Sequence, residues 1–231
     1  MNKHFSIAID GPAGAGKSTI AKLTARKLGF IYVDTGAMYR AMALYLLREG
    51  TDPADMRQIA EKSAGARITI EHRNGEQVVL LFDEDVTGLL RSEEVGNMAS
   101  VSSVCPQLRE KLVELQRELA DKEDVVMDGR DIGTVVLPDA DIKIFLTASV
   151  EVRTGRRVLE LRQKGENPDP EIISADIRER DYRDSHREVS PLRQAEDAVL
   201  LDASDLTIQE VLDRILLLTE AKRVVFDKKE Q

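Results

Sequence analysis

The sequence predicts an α/β fold in which a parallel sheet is covered by helices on both faces, and three observations carry that expectation. Short apolar runs of strand length recur as FSIAID, FIYVD, DVVMD, DIKIFL and DAVLLD, without the polar alternation of a strand half open to water. Longer segments with apolar residues at helical spacing separate them, the alternation from which βαβ units are built. The glycine-rich turn GPAGAGKS (Gly11 to Ser18) lies between the first strand and the first helix, and matches G-x-x-x-x-G-K-[ST] at every fixed position.

The elements follow in order. FSIAID, Phe5 to Asp10, ends in Gly and Pro and reads as a buried strand running into a turn. A helix is expected from about Lys17 to Leu28, then FIYVD as a second strand, then a helix over GAMYRAMALYLLREG that stops at Gly50. RITIEH and QVVLLF flank RNGE, whose Asn74-Gly75 pair suits a type I′ turn, so residues of roughly 67 to 82 form a hairpin. That hairpin interrupts a helical region and reads as an insertion. Two helices are expected over Glu93 to Val104 and Pro106 to Ala120, and DVVMD, DIKIFL and DAVLLD supply the remaining strands.

A chain of 231 residues is long enough for one α/β domain with insertions, which is the organisation expected here. Lys plus Arg number 33 against 42 Asp plus Glu, a net charge of −9 that argues against general binding to nucleic acid or to an anionic membrane. Cys105 is the single cysteine, so no intramolecular disulfide forms, and the residue reads as a small buried side chain in a reducing compartment. The start MNKHFSIAID has too short an apolar run for a signal peptide, and no later stretch approaches the roughly 18 apolar residues that span a bilayer. A soluble, cytoplasmic, monomeric protein is the expectation, with the terminal KKEQ frayed.

The chemistry starts at the turn. Gly11, Gly14 and Gly16, with Pro12, Ala13 and Ala15 between them, let successive backbone N–H groups face phosphate oxygens at the positive end of the following helix. Lys17 supplies a cation for the β and γ phosphates, and the Ser18 hydroxyl suits a Mg²⁺ ligand. Thr19 either assists the phosphate contacts or caps the helix. The N-K-x-D element of a guanine-reading switch is absent, and the DVTG at Asp85 falls in the hairpin insertion, where a switch loop has no place. Asp128, ending VVMD, is positioned as the acidic residue of a transport or motor ATPase, yet the GRD that contains Arg130 and Asp131 puts a cation and a carboxylate at the mouth of the strand. That pairing reads as a cradle for a charged acceptor. RERDYRDSHR, Arg178 to Arg187, is ordinarily a salt-bridged outer face. With residues 172 to 186 helical, Arg180, Asp184 and Arg187 share one side of it, beside Arg183.

VDTGAMYR, which carries Thr35, Tyr39 and Arg40 just after the second strand, makes a family resemblance specific. The chain resembles the bacterial cytidylate kinases, of the nucleoside monophosphate kinase group, over essentially its whole length. The resemblance rests on IDGPAGAGKST, VDTGAMYR, DVTGLLRSEEVGNMAS, PQLREKL, DGRDIGTVVLPDADIKIFL, RERDYRDSHREVSPL and DAVLLD. Thr35 stands where Ser is also common, and Ser18 where Gly is common. The resemblance implies a P-loop core of about 1–34, 122–150 and 197–231, a monophosphate-binding insertion of about 35–121 containing a small antiparallel sheet, and a helical lid with an acceptor helix over about 151–190. It implies ATP and Mg²⁺ as phosphoryl donor and cofactor, and CMP and dCMP as acceptors. Arg40 and Arg130 then hold the acceptor phosphate, and Arg180 and Asp184 its ribose and phosphate. Arg187, Asp131, Ser100 and Arg109 surround the base, with Thr35, Tyr39 and Asp128 also on the substrate. Arg153, Arg156 and Arg157 form the lid that closes on the donor, leaving Arg178, Glu179 and Asp181 as solvated neighbours. A kinase for another monophosphate such as UMP, and a nucleotide-binding switch, remain alternatives at this point.

Overall fold

The computed structural model describes residues 4–227, so the frayed end expected at KKEQ lies outside the described residues. The chain divides into two compact units, one of Phe30–Val125 with His4 and the other of residues 5–29 and 126–227.

The second unit holds the sheet strands β1 (Ser6–Asp10), β6 (Val125–Gly129), β7 (Ile142–Thr147) and β8 (Val199–Asp202), in the spatial order β6-β1-β7-β8. β7 runs parallel to both β1 and β8, with Ile9 opposite Ile144 and Leu146 opposite Leu201. Ile7, Ala8 and Ile9 are fully buried, which is why this strand reads as an unbroken apolar run; each large aliphatic side chain so buried contributes about 1.5–3 kcal/mol. The chain leaves β1 for a neighbour on either side, and at such a reversal the strand ends open a crevice. Helices α1 (Lys17–Leu28), α6 (Val150–Gln163), α7 (Pro170–His186) and α8 (Ile208–Asp227) complete the unit, and a π-helical turn spans Ile132–Val136. α1 has the bounds expected of it.

The first unit carries β2 (Ile31–Asp34), α2 (Thr35–Arg48), α3 (Met56–Gly65), α4 (Glu93–Ser102) and α5 (Pro106–Ala120). Its small sheet is antiparallel, of β3 (Ile68–Arg73), β4 (Glu76–Leu81) and the two-residue β5 (Glu84–Asp85). The hairpin turn is as the Asn-Gly pair predicts, with both residues at positive φ, 54° and 78°. Asp85 ends β5 exposed and accepts the Thr87 N–H ahead of a 3₁₀ turn over Thr87–Leu89, so DVTG serves the insertion's own folding. Helix starts in this unit are set by short polar caps: Asp34 accepts from Ala37 N, Asp55 from Arg57 and Gln58 N, and Ser92 from Val95 N. Pro106 occupies the first turn of α5, and Cys105 before it is buried as expected. α4 ends at Ser102, two residues before Val104. α3 was not anticipated, because its apolar positions are few and only Ile59 and Ser63 are buried.

Two expectations for the charge run need correction. Arg187 lies one residue past α7 with φ −65° and ψ 142°, an extended conformation, so it does not continue the helical face of Arg180 and Asp184. Asp181 is not a solvated residue, for its carboxylate is 2.7 Å from the guanidinium of Arg153. Arg178 and Glu179 do face water, in exposed pairs with Glu151 and Arg183.

Candidate active site

Gly11 begins the phosphate loop with φ 147°, and a Cβ built there would fall 1.9 Å from the carbonyl oxygen of Leu146. No other residue type fits, since the loop backbone passes directly over β7. Gly14, at φ 76°, lies against the side chain of Arg153, whose Cβ is 3.5 Å from where a Cβ on Gly14 would stand. The tip of the loop is thus in reach of α6. Gly16, at φ 94°, starts α1 without a side-chain cap, so the helix's first N–H groups lie open to an anionic ligand. The Lys17 ammonium is buried and donates to the Pro12 carbonyl at 2.7 Å, folding back along the loop. Burial lowers its pKa well below the ordinary lysine range, and the charge of Arg130 lowers it further, while Asp128 and Asp10 oppose the shift.

The Ser18 hydroxyl donates to Asp128 at 2.9 Å, bringing a hydroxyl from α1 together with the buried carboxylate on β6. A hydroxyl beside a carboxylate is a hard oxygen pair that suits Mg²⁺. Among the described residues no group of three or more His, Cys, Asp or Glu side chains could hold a metal, so an ion here would draw its remaining ligands from phosphate oxygens and water. Thr19 is exposed on the first turn of α1.

Beyond β6 the GRD segment turns sharply. Arg130 donates to Asp184 on α7 at 2.8 Å and to the Gly129 carbonyl at 3.3 Å. Asp131 and Arg187 face one another at 3.9 Å, with side chains 6 % and 7 % exposed, so this pair is held nearly dry. Burial alone would push the Asp184 carboxyl upward, but the charges of Arg130, Arg180 and Arg187 and the Arg130 hydrogen bond outweigh it, and the pKa ends below the usual carboxylate range. Arg130, Asp184, Arg187 and Asp131, in that order, therefore form a run of alternating charge within one unit. Arg180 belongs to the same electrostatic neighbourhood.

The three arginines of α6 that the resemblance assigned to a lid separate into two kinds. Arg153 is buried, donating to the carbonyls of Ala148 and Ala13 and pairing with Asp181. Arg156 donates to Ala15 and Ala203 carbonyls at 3.2 and 2.9 Å. Both reach the phosphate loop. Arg157 instead pairs with Glu160 on the exposed side of α6.

In the first unit Thr35 is buried at the start of α2, and Arg40 lies 3.4 Å from Asp34. Arg109 is 4 % exposed, donates to the Ser103 carbonyl, and stands 5.4 Å from the centre of the Tyr39 ring. The Ser103 hydroxyl in turn donates to the Ser100 carbonyl. Tyr39 and Arg109 thus come together, and Arg40 lies against Asp34, the residue that caps α2.

Asp10 was missed from sequence. Its buried carboxylate accepts the N–H groups of Ile132 and Gly133 at 2.8 and 2.7 Å, tying the end of β1 to the backbone just after GRD. Burial raises its pKa to about 6 despite those two bonds, with Asp131 adding to the rise and Lys17 opposing it. An acidic residue closing an apolar strand was the available signal, the same one that singled out Asp128. Asp181 had none, being one of several equivalent charges in its run.

The cytidylate kinase family model matches residues 7–221 of the chain. The cytidylate kinase of Desulfitobacterium hafniense is 52% identical over 222 residues, covering 96% of this chain and 95% of that protein. That of Caldicellulosiruptor saccharolyticus is 51% identical over 214 residues, covering 93% and 95%, and that of Lactobacillus johnsonii 48% over 223 residues, covering 96% and 97%. A crystal structure of a protein from Eubacterium ventriosum, 15% identical, shares the fold with a TM-score of 0.50, covering 92% of this chain and 96% of that one. A match that runs nearly end to end and at about half identity takes in the phosphate loop, the GRD turn and the charged helix alike, and the chain belongs to the cytidylate kinase family.

Proposed function

We propose that the protein transfers the γ-phosphoryl group of ATP to CMP and to dCMP, giving ADP and CDP or dCDP, within pyrimidine nucleotide metabolism. The observation that carries this reading is the alternating run Arg130, Asp184, Arg187 and Asp131 in the same unit as a complete phosphate loop. A bare ATPase or switch has no need of such a run, whereas a second, phosphorylated substrate does.

The reaction requires positioning and charge neutralisation more than proton transfer. The acceptor phosphate has its second pKa near 6 and is mostly dianionic at neutral pH, so one of its oxygens attacks the γ-phosphorus without a general base. The bond from that phosphorus to the β–γ bridging oxygen breaks, and the electron pair leaves with ADP. Donor and acceptor together bring about six negative charges, which repel one another strongly in a dry site. Loop N–H groups and Lys17 offset the donor charge, with Lys17 moving off the Pro12 carbonyl to do so. Ser18, with Asp128 beside it, would hold Mg²⁺, which when bound would supply neutralisation of charge on the phosphate oxygens. Arg153, Arg156 and Arg157 serve the donor side. Arg40 and Arg130 take the acceptor phosphate, Arg180 and Asp184 the ribose and phosphate, and Ser100, Arg109, Asp131 and Arg187 the base, with Thr35 and Tyr39 also on the acceptor.

A panel of nucleoside monophosphates with ATP and Mg²⁺ tests the reading. ATP consumption is slow alone and rapid with CMP or dCMP. Turnover that ignores added monophosphate, or that favours UMP over CMP, overturns it.

A further inference from the structure

The hairpin β3–β4 has no task in the chemistry above, yet it touches the acceptor segment at one definite place. His72 and Gln77 are cross-strand partners in it, and both side chains reach β2. Gln77 Oε1 accepts the Asp34 N–H at 2.7 Å, and its Nε2 donates to the Asp34 carbonyl at 3.2 Å. His72 Nε2 donates to the Tyr32 carbonyl at 2.9 Å. Tyr32 and Asp34 are alternate residues, so these backbone groups follow one edge of β2. Two side chains do there what the backbone of a neighbouring strand would do. A glutamine suits the place, since one planar group presents both an acceptor and a donor, as a peptide does; glutamate presents acceptors only. Gln77 is 9 % exposed, so its loss leaves the Asp34 peptide without that partner in a nearly dry setting.

Asp34 passes the constraint on. Its Oδ1 accepts from Ala37 N at 2.9 Å, capping α2, and its Oδ2 lies 3.4 Å from the Arg40 guanidinium. We propose that Gln77 is a positioning residue for the acceptor monophosphate, which by gripping the Asp34 peptide sets the start of α2 and the direction of Arg40. This rests on the assignment of Arg40 to the CMP phosphate. The small antiparallel sheet is on this view a platform that holds the acceptor-binding segment in register.

The test is steady-state kinetics on wild type, Gln77→Met, Gln77→Glu, Arg40→Ala and the double variant Gln77→Met/Arg40→Ala, each with its melting curve. Gln77→Met raises the KM for CMP about tenfold and leaves the KM for ATP within about twofold, because a displaced arginine misplaces one substrate only. The double variant is no worse than Arg40→Ala alone, since residues acting through one group are not additive. An unchanged KM for CMP in folded Gln77→Met, or full additivity in the double variant, overturns the proposal. If Gln77→Met does not fold, the same comparison with Gln77→Glu decides. An unchanged KM for CMP in Arg40→Ala is a separate failure, which removes the Arg40 assignment and the inference with it.

Discussion

Lys17 and Asp10 are two charged side chains held out of water at either end of the phosphate loop, and burial shifts them in opposite directions. The Lys17 ammonium sits in a setting that disfavours its charge, so Lys17→Met removes a desolvated cation while keeping the chain length. We expect turnover to fall at least about a thousandfold, as when a group aimed at transferring charge is removed, with no drop in the urea midpoint. Activity retained in a folded variant contradicts the role of the loop. For Asp10 the ordinary carboxyl value of 3.8 is raised to about 6 in the fold. Between those values the folded protein keeps the proton and the unfolded chain does not, so stability from this group, full below 3.8, is lost as pH rises through 6. Relative to Asp10→Asn, wild type is favoured by about 3 kcal/mol more at the acid end of that interval than above it. Urea unfolding of both proteins across the interval measures it, and a flat difference contradicts the burial of the carboxyl. On the proposed reading Asp131 faces the base. A carboxylate accepts from the cytosine amino group but meets the uracil carbonyl with repulsion, so Asp131→Ala lowers kcat/KM for CMP far more than for UMP, by about tenfold or greater. Equal losses on both substrates return Asp131 to a structural role with Arg187.

At the level of single elements, α6 and α7 show how a charge-rich surface can hide a joint. α7 has no buried residue, and its Ile172 and Tyr182 are exposed, so pairs such as Arg130–Asp184 and Arg153–Asp181 help to hold it in place. Asp181→Ala leaves Arg153 buried without that carboxylate, and a loss of about 3 kcal/mol is expected in urea unfolding. Arg157→Ala removes an exposed pair and shifts stability by at most about 0.5 kcal/mol. If Arg157 acts on the donor its kcat falls nonetheless, and an unchanged kcat confines the lid's chemistry to Arg153 and Arg156.

At the scale of the whole molecule, donor binding is linked to folding. A non-hydrolysable ATP analogue with Mg²⁺, at a hundred times its Kd, stabilises the folded chain by about 2.7 kcal/mol. The melting temperature rises accordingly in wild type and far less in Lys17→Met. A rise of equal size in both places the analogue away from the loop.

Features governed by short-range rules could be read directly from the order of residues. Strand β1, helix α1 and the hairpin at Asn74-Gly75 depend on apolar periodicity and on glycine geometry, which neighbours in the chain enforce. The phosphate loop was legible for the same reason: its function is a local backbone shape, down to the Gly11 that the Leu146 carbonyl leaves no room to replace. Which polar groups meet came from packing. Asp10 reaches Ile132 and Gly133, Gln77 reaches Asp34, and Asp181 rather than solvent receives Arg153, each across a long stretch of chain. Arg187 left the helix that its spacing suggested, and α3 formed with little apolar signal. An ion pair or a buried carboxylate is a matter of distance and dryness, and neither is written in the order of residues until the segments have packed.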